Sequence, residues 1–517
     1  MPWPALKSKS FDELPALAVR GATLRRALRS ITMAWMFGIV WLAGTNGSQI
    51  IDFCWMLGFQ DIHFGIMTAL GNAAVFAQLF SAAFVESTGL RKWTFVYLCL
   101  AHRLAYILMA LVPIFFNPGP AVWAFLGVCA FSWTLGNLSS PAWNTWMGDM
   151  IPRRIRGRYF ATRRLWTIPV QVAVVFFLGI IFDRVTVATG DGAHASFATQ
   201  PVLGYVICVT LAIAGVFGAI DVLLFLPLRE IVTGPLTKAA HRDMRPLTQR
   251  LSHAAIAPFL MVHEAFQDKV FRQYALYCAT LNFGLCIGGS FFWTNALRNI
   301  GYSKLGTNIL FMVLGALSSM FMAKQWGQLL DRYGRRPVLI LGTMGVTSSA
   351  LGWFFIPQGN LTLAYLIGAV TAMWGGITWG AVELGQVSIM LGFSDSKGRS
   401  KLMAATSVIS AVGGVLGGLA GGKIAQHFEY LQDQPWHVGP FLWNNYHVTF
   451  LASTLFRGLS ILWLLGMAEP GASTLGNLLH VMGAGAYKRL IRTFSWPVSM
   501  AHNWVGPFNR RPPSGPH

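Results

Sequence analysis

Charge is what this chain has least of. Only 11% of its 517 residues are Asp, Glu, Lys or Arg, while 54% are hydrophobic, and mean hydropathy is +0.52. Soluble domains carry about 25% charged residues, so this composition cannot furnish a water-facing surface. An ordinary globular enzyme is excluded. Cysteine is also scarce. Cys54, Cys99, Cys129, Cys208, Cys278 and Cys286 form no CxxC pair and no Cys/His spacing suited to a metal. They read as small buried apolar residues, and no metal site is expected. A Walker loop, an HExxH helix and a nucleophile elbow are all missing from the sequence. No catalytic residues, no cofactor and no ATP hydrolysis are therefore expected. Residues 1–30 lack a short apolar core ending in small residues, so no signal peptide is expected.

What the chain does have is long apolar runs. A helix needs about 20 such residues to cross a bilayer. Runs of that kind fall at 31–57, 62–85, 93–116, 121–147, 165–183 and 204–228, then at 272–296, 305–326, 338–356, 362–391, 402–427 and 448–468. They are continuous rather than alternating, which predicts helices and not a barrel. The reading is an all-α integral membrane protein of twelve transmembrane helices.

The net charge of +20 could suggest nucleic acid as a partner, but the basic residues cluster between the apolar runs. With both termini placed in the cytoplasm, about 33 of the 39 Lys and Arg residues lie on the inner side. Arg184, Arg298 and Lys304 fall in outer loops, and Arg103, Lys423 and Arg457 fall within spans. The partner is the lipid bilayer, with no nucleic acid. Residues 12–29 and 475–494 set apolar side chains at helical spacing beside Arg25, Arg26, Arg29, Lys488, Arg489 and Arg492. These tails read either as interfacial helices or as solvated segments.

The chain also repeats itself. Ala82 to Lys92, with Glu86, Gly89 and Arg91, follows the second span, and Gly327 to Arg336 follows the eighth. Arg156-Gly157-Arg158 and Lys397-Gly398-Arg399 form a second pair at nearly the same offset. The expected organisation is a tail (1–30), a six-helix half (31–228), a central loop (229–271), a second six-helix half (272–468) and a tail (469–517). Parallel halves of this kind belong to one transporter architecture.

The run Gly327-x-x-x-Asp331-Arg332-x-Gly334-Arg335-Arg336 resembles the loop signature of the major facilitator superfamily (MFS). Residues 82–92 form a degenerate copy, with Ala82, Glu86 and Ser87 in place of Gly, Asp and Arg. The segment from Trp143 through Asp149 to Arg163 is similar to poorly characterised bacterial members. The resemblance implies the MFS fold, a multi-pass protein of the bacterial inner membrane, a monomer, and alternating-access transport of a small solute, with proton coupling an option. It also implies that Asp331 approaches the start of the fifth span near Arg163 and Arg164. Glu86 would likewise approach the eleventh near Ser400 and Lys401. A non-transporting scaffold or a lipid-handling or assembly factor on the same fold is the alternative reading.

Ionisable side chains at mid-membrane cost on the order of 3 kcal/mol, which makes function their default explanation. Glu383 lies deep in the tenth span among small neighbours and could carry a proton or face a cation. Arg103 and Arg457 could hold an anionic substrate or neutralise a carboxylate. Asp221 could pair locally, and Asp52 and Lys423 lie nearer span ends. His102 reads as packed or hydrogen-bonded. By the resemblance, the first, fourth, seventh and tenth spans line the path. That places Asn46, Gln49, Asn137, Asn144 and Asn282 among the polar candidates for substrate contact. Trp374 and Trp379 read as lipid-facing or as a stacking surface. The glycines from Gly413 to Gly422 predict a flat helix face for close packing.

Overall fold

The computed structural model describes residues 21–88, 90–189, 197, 199–230, 246, 249, 263, 266–392, 399–439, 441–469, 471–478 and 480. Twelve helices are long and apolar enough to cross a membrane. They are α1 Gly21–Thr45, α2 Asp61–Ser81, α3 Lys92–Phe115, α4 Pro120–Met150, α5 Arg158–Val187 and α6 Pro201–Leu223. The second half supplies α7 Lys269–Asn299, α8 Lys304–Tyr333, α9 Arg335–Phe355, α10 Leu361–Met390, α11 Ala405–His427 and α12 Asn445–Gly466. Large apolar side chains such as Phe177, Leu366 and Leu462 remain more than half exposed. Lipid, not water, is the solvent that tolerates them.

Local sequence sets where several helices begin. Pro120 and Pro201 open α4 and α6, where a missing N–H costs nothing. Asn444 caps α12, its side chain accepting from the Tyr446 amide, while His447 reaches back to the Asn444 amide. Ser303 caps α8 by accepting from Gly306 N–H.

The first apolar run is not one helix. α1 stops at Thr45, and a short helix, Ser48–Met56, follows a break at Asn46 and Gly47. Gly47 sits at φ 109°, and a Cβ there would lie 2.7 Å from Asn308 Oδ1. Only glycine meets both demands. Residues 21–29 continue α1 inward and do not form a separate interfacial helix. Residues 12–20, 479 and 481–494 of the expected tail helices lie outside the described residues.

We call the end of the bundle that carries 82–92 and 327–336 the loop end, and the other the far end. A two-stranded antiparallel hairpin, Trp436–Val438 with Phe441–Trp443, lies between α11 and α12 at the far end. α11 joins the two halves along its length. A Cβ on Gly417 or Gly421 would press the α7 backbone at Phe283 or Ile287. A Cβ on Gly418 or Gly422 would press α2 at Gly65. Two glycine ribs on one helix therefore let α11 lie against α7 on one side and α2 on the other.

Candidate functional site

The first half buries an ion pair. Arg103 on α3 donates to Asp221 on α6 at 3.0 Å, with both side chains less than a tenth exposed. The guanidinium lies 3.5 Å from the Trp41 ring centroid on α1. Space for it comes from glycine: a Cβ on Gly218 would be 2.7 Å from Arg103 Cδ, and one on Gly38 would be 2.8 Å from Asp221 Oδ2. Beside the pair, His102 Nδ1 lies 2.8 Å from both the carbonyl and the hydroxyl oxygen of Ser132. The charges of Arg103 and Asp221 thus meet inside the half, although Arg103 Nε and Nη1 make no further hydrogen bond among the described residues.

The second half is arranged differently. A cavity of about 410 Å³ is lined by Glu383, Trp379 and Gly376 on α10, Phe311 and Ser319 on α8, and Trp353 on α9. It is completed by Phe292 on α7, Arg457 on α12 and Arg164 on α5. Arg457 is 6% exposed. Its Nη1 reaches the Val346 carbonyl at a long 3.4 Å, and its Nε has no acceptor. Among the described residues no carboxylate lies within 4 Å of it. Glu383 is exposed in the cavity and likewise carries no ion pair among the described residues. Arg164 brings a second guanidinium from the other half of the molecule.

The remaining polar candidates do not line that cavity. Gln49 is buried at the α1 break, where it donates to the Ala43 and Asn46 carbonyls at 2.7 and 2.6 Å. Asn46 donates back to Leu42 O, and Asn144 is exposed and bonds Ser140 at 3.4 Å. Asn137 accepts from Gln78 at 2.6 Å, inside the first half. Asn282 donates to Asn72 Oδ1 at 3.0 Å and to Ser410 O at 2.8 Å, which makes it a joint between halves. Lys423 is exposed, and Trp374 donates to Ser348 at 2.9 Å. A helix break takes up Gln49 and helix contacts take up Asn137 and Asn282, whereas Asn46 and Asn144 are exposed outside this cavity's lining.

Further joints between the halves gather at the far end. Asp183, near the end of α5, accepts from the Lys304 and Leu305 amides at 2.7 and 3.2 Å, so a carboxylate caps α8. Lys304 Nζ meets Asp52 at 2.8 Å. The Ser48 amide donates to Asn308 Oδ1 at 2.8 Å. Asp61, buried at the start of α2, accepts from Asn445 at 2.8 Å and from Tyr446 at 3.0 Å. Sequence marks Lys304 only as an outer-loop charge and does not mark Asp183 or Asp61 at all, because each reads as an ordinary charge at a loop.

At the loop end the two signature copies are held within their own halves. The Arg91 and Lys92 amides donate to Glu230, and the Arg335 and Arg336 amides donate to Glu469. One acid thus caps α3 and its counterpart caps α9. Arg91 also pairs with Asp149, while Arg336 donates to the Leu464 and Leu465 carbonyls that end α12. Gly334, at φ 96°, makes the turn. Asp331 is exposed and carries no ion pair among the described residues, so the contact expected with Arg163 and Arg164 is not made here. Arg163 instead lies 5.0 Å from the Trp35 ring. Arg332 lies over Tyr333, and a Cβ on Gly327 would meet nothing. Gly89 and the side chains of Glu86, Ser400 and Lys401 lie outside the described residues.

Comparison with known proteins agrees with this architecture. Protein ZINC INDUCED FACILITATOR 1 of Arabidopsis thaliana is 29% identical over 133 residues, 25% of this chain and 24% of that protein. The match thus spans about a quarter of that curated relative. A solved variant of the nucleoside transporter NupG superposes with a TM-score of 0.60 at 14% identity, covering 86% of this chain and all of that one. The xylose transporter XylE from E. coli, in an inward-open conformation, superposes with a TM-score of 0.59 at 13% identity, covering 87% and 99%. At such identities these likenesses show the fold alone. The family model of the Major Facilitator Superfamily matches residues 30–421. With twelve candidate spans in two related halves, the chain is a multi-pass membrane protein that belongs to the Major Facilitator Superfamily.

Proposed function

We propose that this chain is a secondary active transporter that moves a small solute by alternating access. It would act as a monomer in a bacterial inner membrane with both termini in the cytoplasm, and without catalytic chemistry of its own. The observation that carries the reading is the unequal joining of the two halves. At the far end they are stitched by Asp183, Lys304, Asp52, Ser48 and Asp61. At the loop end Asp331 is exposed and carries no ion pair among the described residues, and Gly327 has open space where another helix could approach. That asymmetry is what one end of a rocking cycle requires. The basic-residue rule favours a cytoplasmic loop end, which supports reading this conformation as inward-facing. A dry aliphatic interface would favour a scaffold. Here Thr68 bonds Ser290 at 3.0 Å and Asn72 bonds Asn282 between the halves, and charged groups line a cavity.

Coupling to protons is the finer part of the reading, with Glu383 as the coupling carboxyl. A D-xylose–proton symporter of the same fold superposes with a TM-score of 0.58. One proton moving through 100 mV supplies about 2.3 kcal/mol, roughly 50-fold accumulation. The test uses spin labels in proteoliposomes. One pair, at Asn144→Cys and Lys324→Cys, spans the loop end, and the other, at Val187→Cys and Leu361→Cys, spans the far end. Lowering the pH is expected to add a second population, shorter at the loop end and longer at the far end. Glu383→Gln is expected to keep both distances and lose their pH dependence. A single distance at each end across pH and a solute panel would sink alternating access. Unchanged pH dependence in Glu383→Gln would sink only the coupling role.

A further inference from the structure

Arg457 has a problem that no other described residue solves. It is a guanidinium, 6% exposed, near the middle of a membrane helix. Its Nε has no acceptor, and no carboxylate lies within 4 Å among the described residues. A desolvated cation without a counter-charge is costly in any protein interior and more so in a membrane. An arginine of this kind persists where a visiting anion completes it.

Its surroundings describe that anion. Two cations, Arg457 and Arg164, and one carboxylate, Glu383, line the same cavity. With Glu383 ionised the cavity carries one net positive charge, which a single negative charge on the ligand cancels. The guanidinium fork matches a carboxylate with two parallel hydrogen bonds. The rest of the wall joins four aromatic rings, Phe292, Phe311, Trp353 and Trp379, to small residues such as Gly375, Gly376 and Ala372 that leave room for a flat ligand. Phe311 stacks on Trp353 at 5.1 Å and 7°, and Phe292 lies 5.5 Å from Trp353. A volume of about 410 Å³ is within the range of small-molecule sites.

We propose that this cavity binds a planar, aromatic monocarboxylate, its carboxylate held by Arg457 and Arg164 and its ring packed against the exposed Trp379. Because Arg164 belongs to α5 of the first half and Arg457 to α12 of the second, one carboxylate bridges the halves. Occupancy then favours the state in which those two arginines are nearest. The consequence for conformation rests on the transport reading; the binding itself does not.

The test is isothermal titration of the purified full chain in neutral detergent with four indoles that differ in charge. Indole-3-acetate is expected to bind. Tryptophol (neutral) and tryptamine (cationic) are expected to bind at least about tenfold more weakly, as is fitting for a lost charge-assisted pair. L-tryptophan, which leaves the net charge uncancelled, is expected to fall between. Arg457→Gln is expected to weaken indole-3-acetate by about tenfold or more and leave tryptophol unchanged, with Arg457→Lys intermediate. Should Arg457→Gln not fold, Arg164→Gln, whose side chain is exposed, gives the same reading. Equal affinity for tryptophol, tighter binding of the flexible dodecanoate, or no heat from indole-3-acetate up to about 10 mM overturns the proposal. Flux into proteoliposomes separates the two readings. Binding of indole-3-acetate without its transport strikes transport and leaves the site. Transport of indole-3-acetate with a KM untouched by Arg457→Gln strikes the site and leaves transport.

Discussion

The two halves of this molecule each bury an arginine between equivalent helices and treat it in opposite ways. In the first half Arg103 on α3 faces α6, where Asp221 meets it at 3.0 Å and Trp41 stacks beneath it at 3.5 Å. In the second half Arg457 on α12 faces α9, the counterpart of α3, and among the described residues finds the Val346 carbonyl at 3.4 Å and the Phe292 ring at 5.7 Å but no carboxylate. The first pair is closed: charge meets charge, and glycines at 38 and 218 are shaped around it. The second is open onto a cavity that holds Glu383 and Arg164. A buried charge with its partner in the chain is a structural element. A buried charge whose partner is missing is a receptor.

The largest effect should come from unbalancing the closed pair. Asp221→Ala leaves Arg103 desolvated without a counter-charge, and the expected loss is about 3–5 kcal/mol of stability, measured by unfolding in mixed detergent micelles. The double variant Arg103→Leu with Asp221→Leu should recover most of that loss, because it removes the uncompensated charge instead of exposing it. If the double variant were no better than the single, the pair would be needed for more than its own neutrality, and the contrast with Arg457 would weaken.

Much of this was legible in sequence, and the reason is the solvent. A bilayer demands an uninterrupted apolar run for every crossing, so all twelve spans could be placed by reading along the chain. The loop signature and the glycine ribs of α11 were legible for the same kind of reason: each is a local pattern with a local cause. Pairings were not. Arg103 and Asp221 stand 118 positions apart, and nothing along the chain says that they meet while Glu383 and Arg457 stay apart. The break at Gly47 was hidden inside an apolar run, since what forces it is Asn308 from the other half. Glu230 and Glu469 were passed over as loop charges, although an acid recurring after the sixth and the twelfth span was a repeat like the others.

A smaller effect tests how much the ring under Arg103 contributes. Trp41→Phe keeps an aromatic core residue but offers the guanidinium a weaker face, so it should cost about 1 kcal/mol. No change in stability would show that Asp221 alone holds the arginine.

The smallest expected effect separates the halves most sharply. Arg457→Leu keeps an apolar stem against Gly284, whose Cβ position lies 3.1 Å from Arg457 Cγ, and deletes a charge that has no counter-charge. Ligand-free stability should then change by less than about 1 kcal/mol and move upward, because an unpaired desolvated cation opposes folding. The same variant must lose the stabilisation that a bound carboxylate adds to the native protein, which grows with the ratio of ligand concentration to Kd. Thermal unfolding with and without indole-3-acetate reads both terms from one preparation. A loss as large as that of Asp221→Ala, with no ligand present, would mean that Arg457 is already held by the chain, and the difference between the halves would disappear.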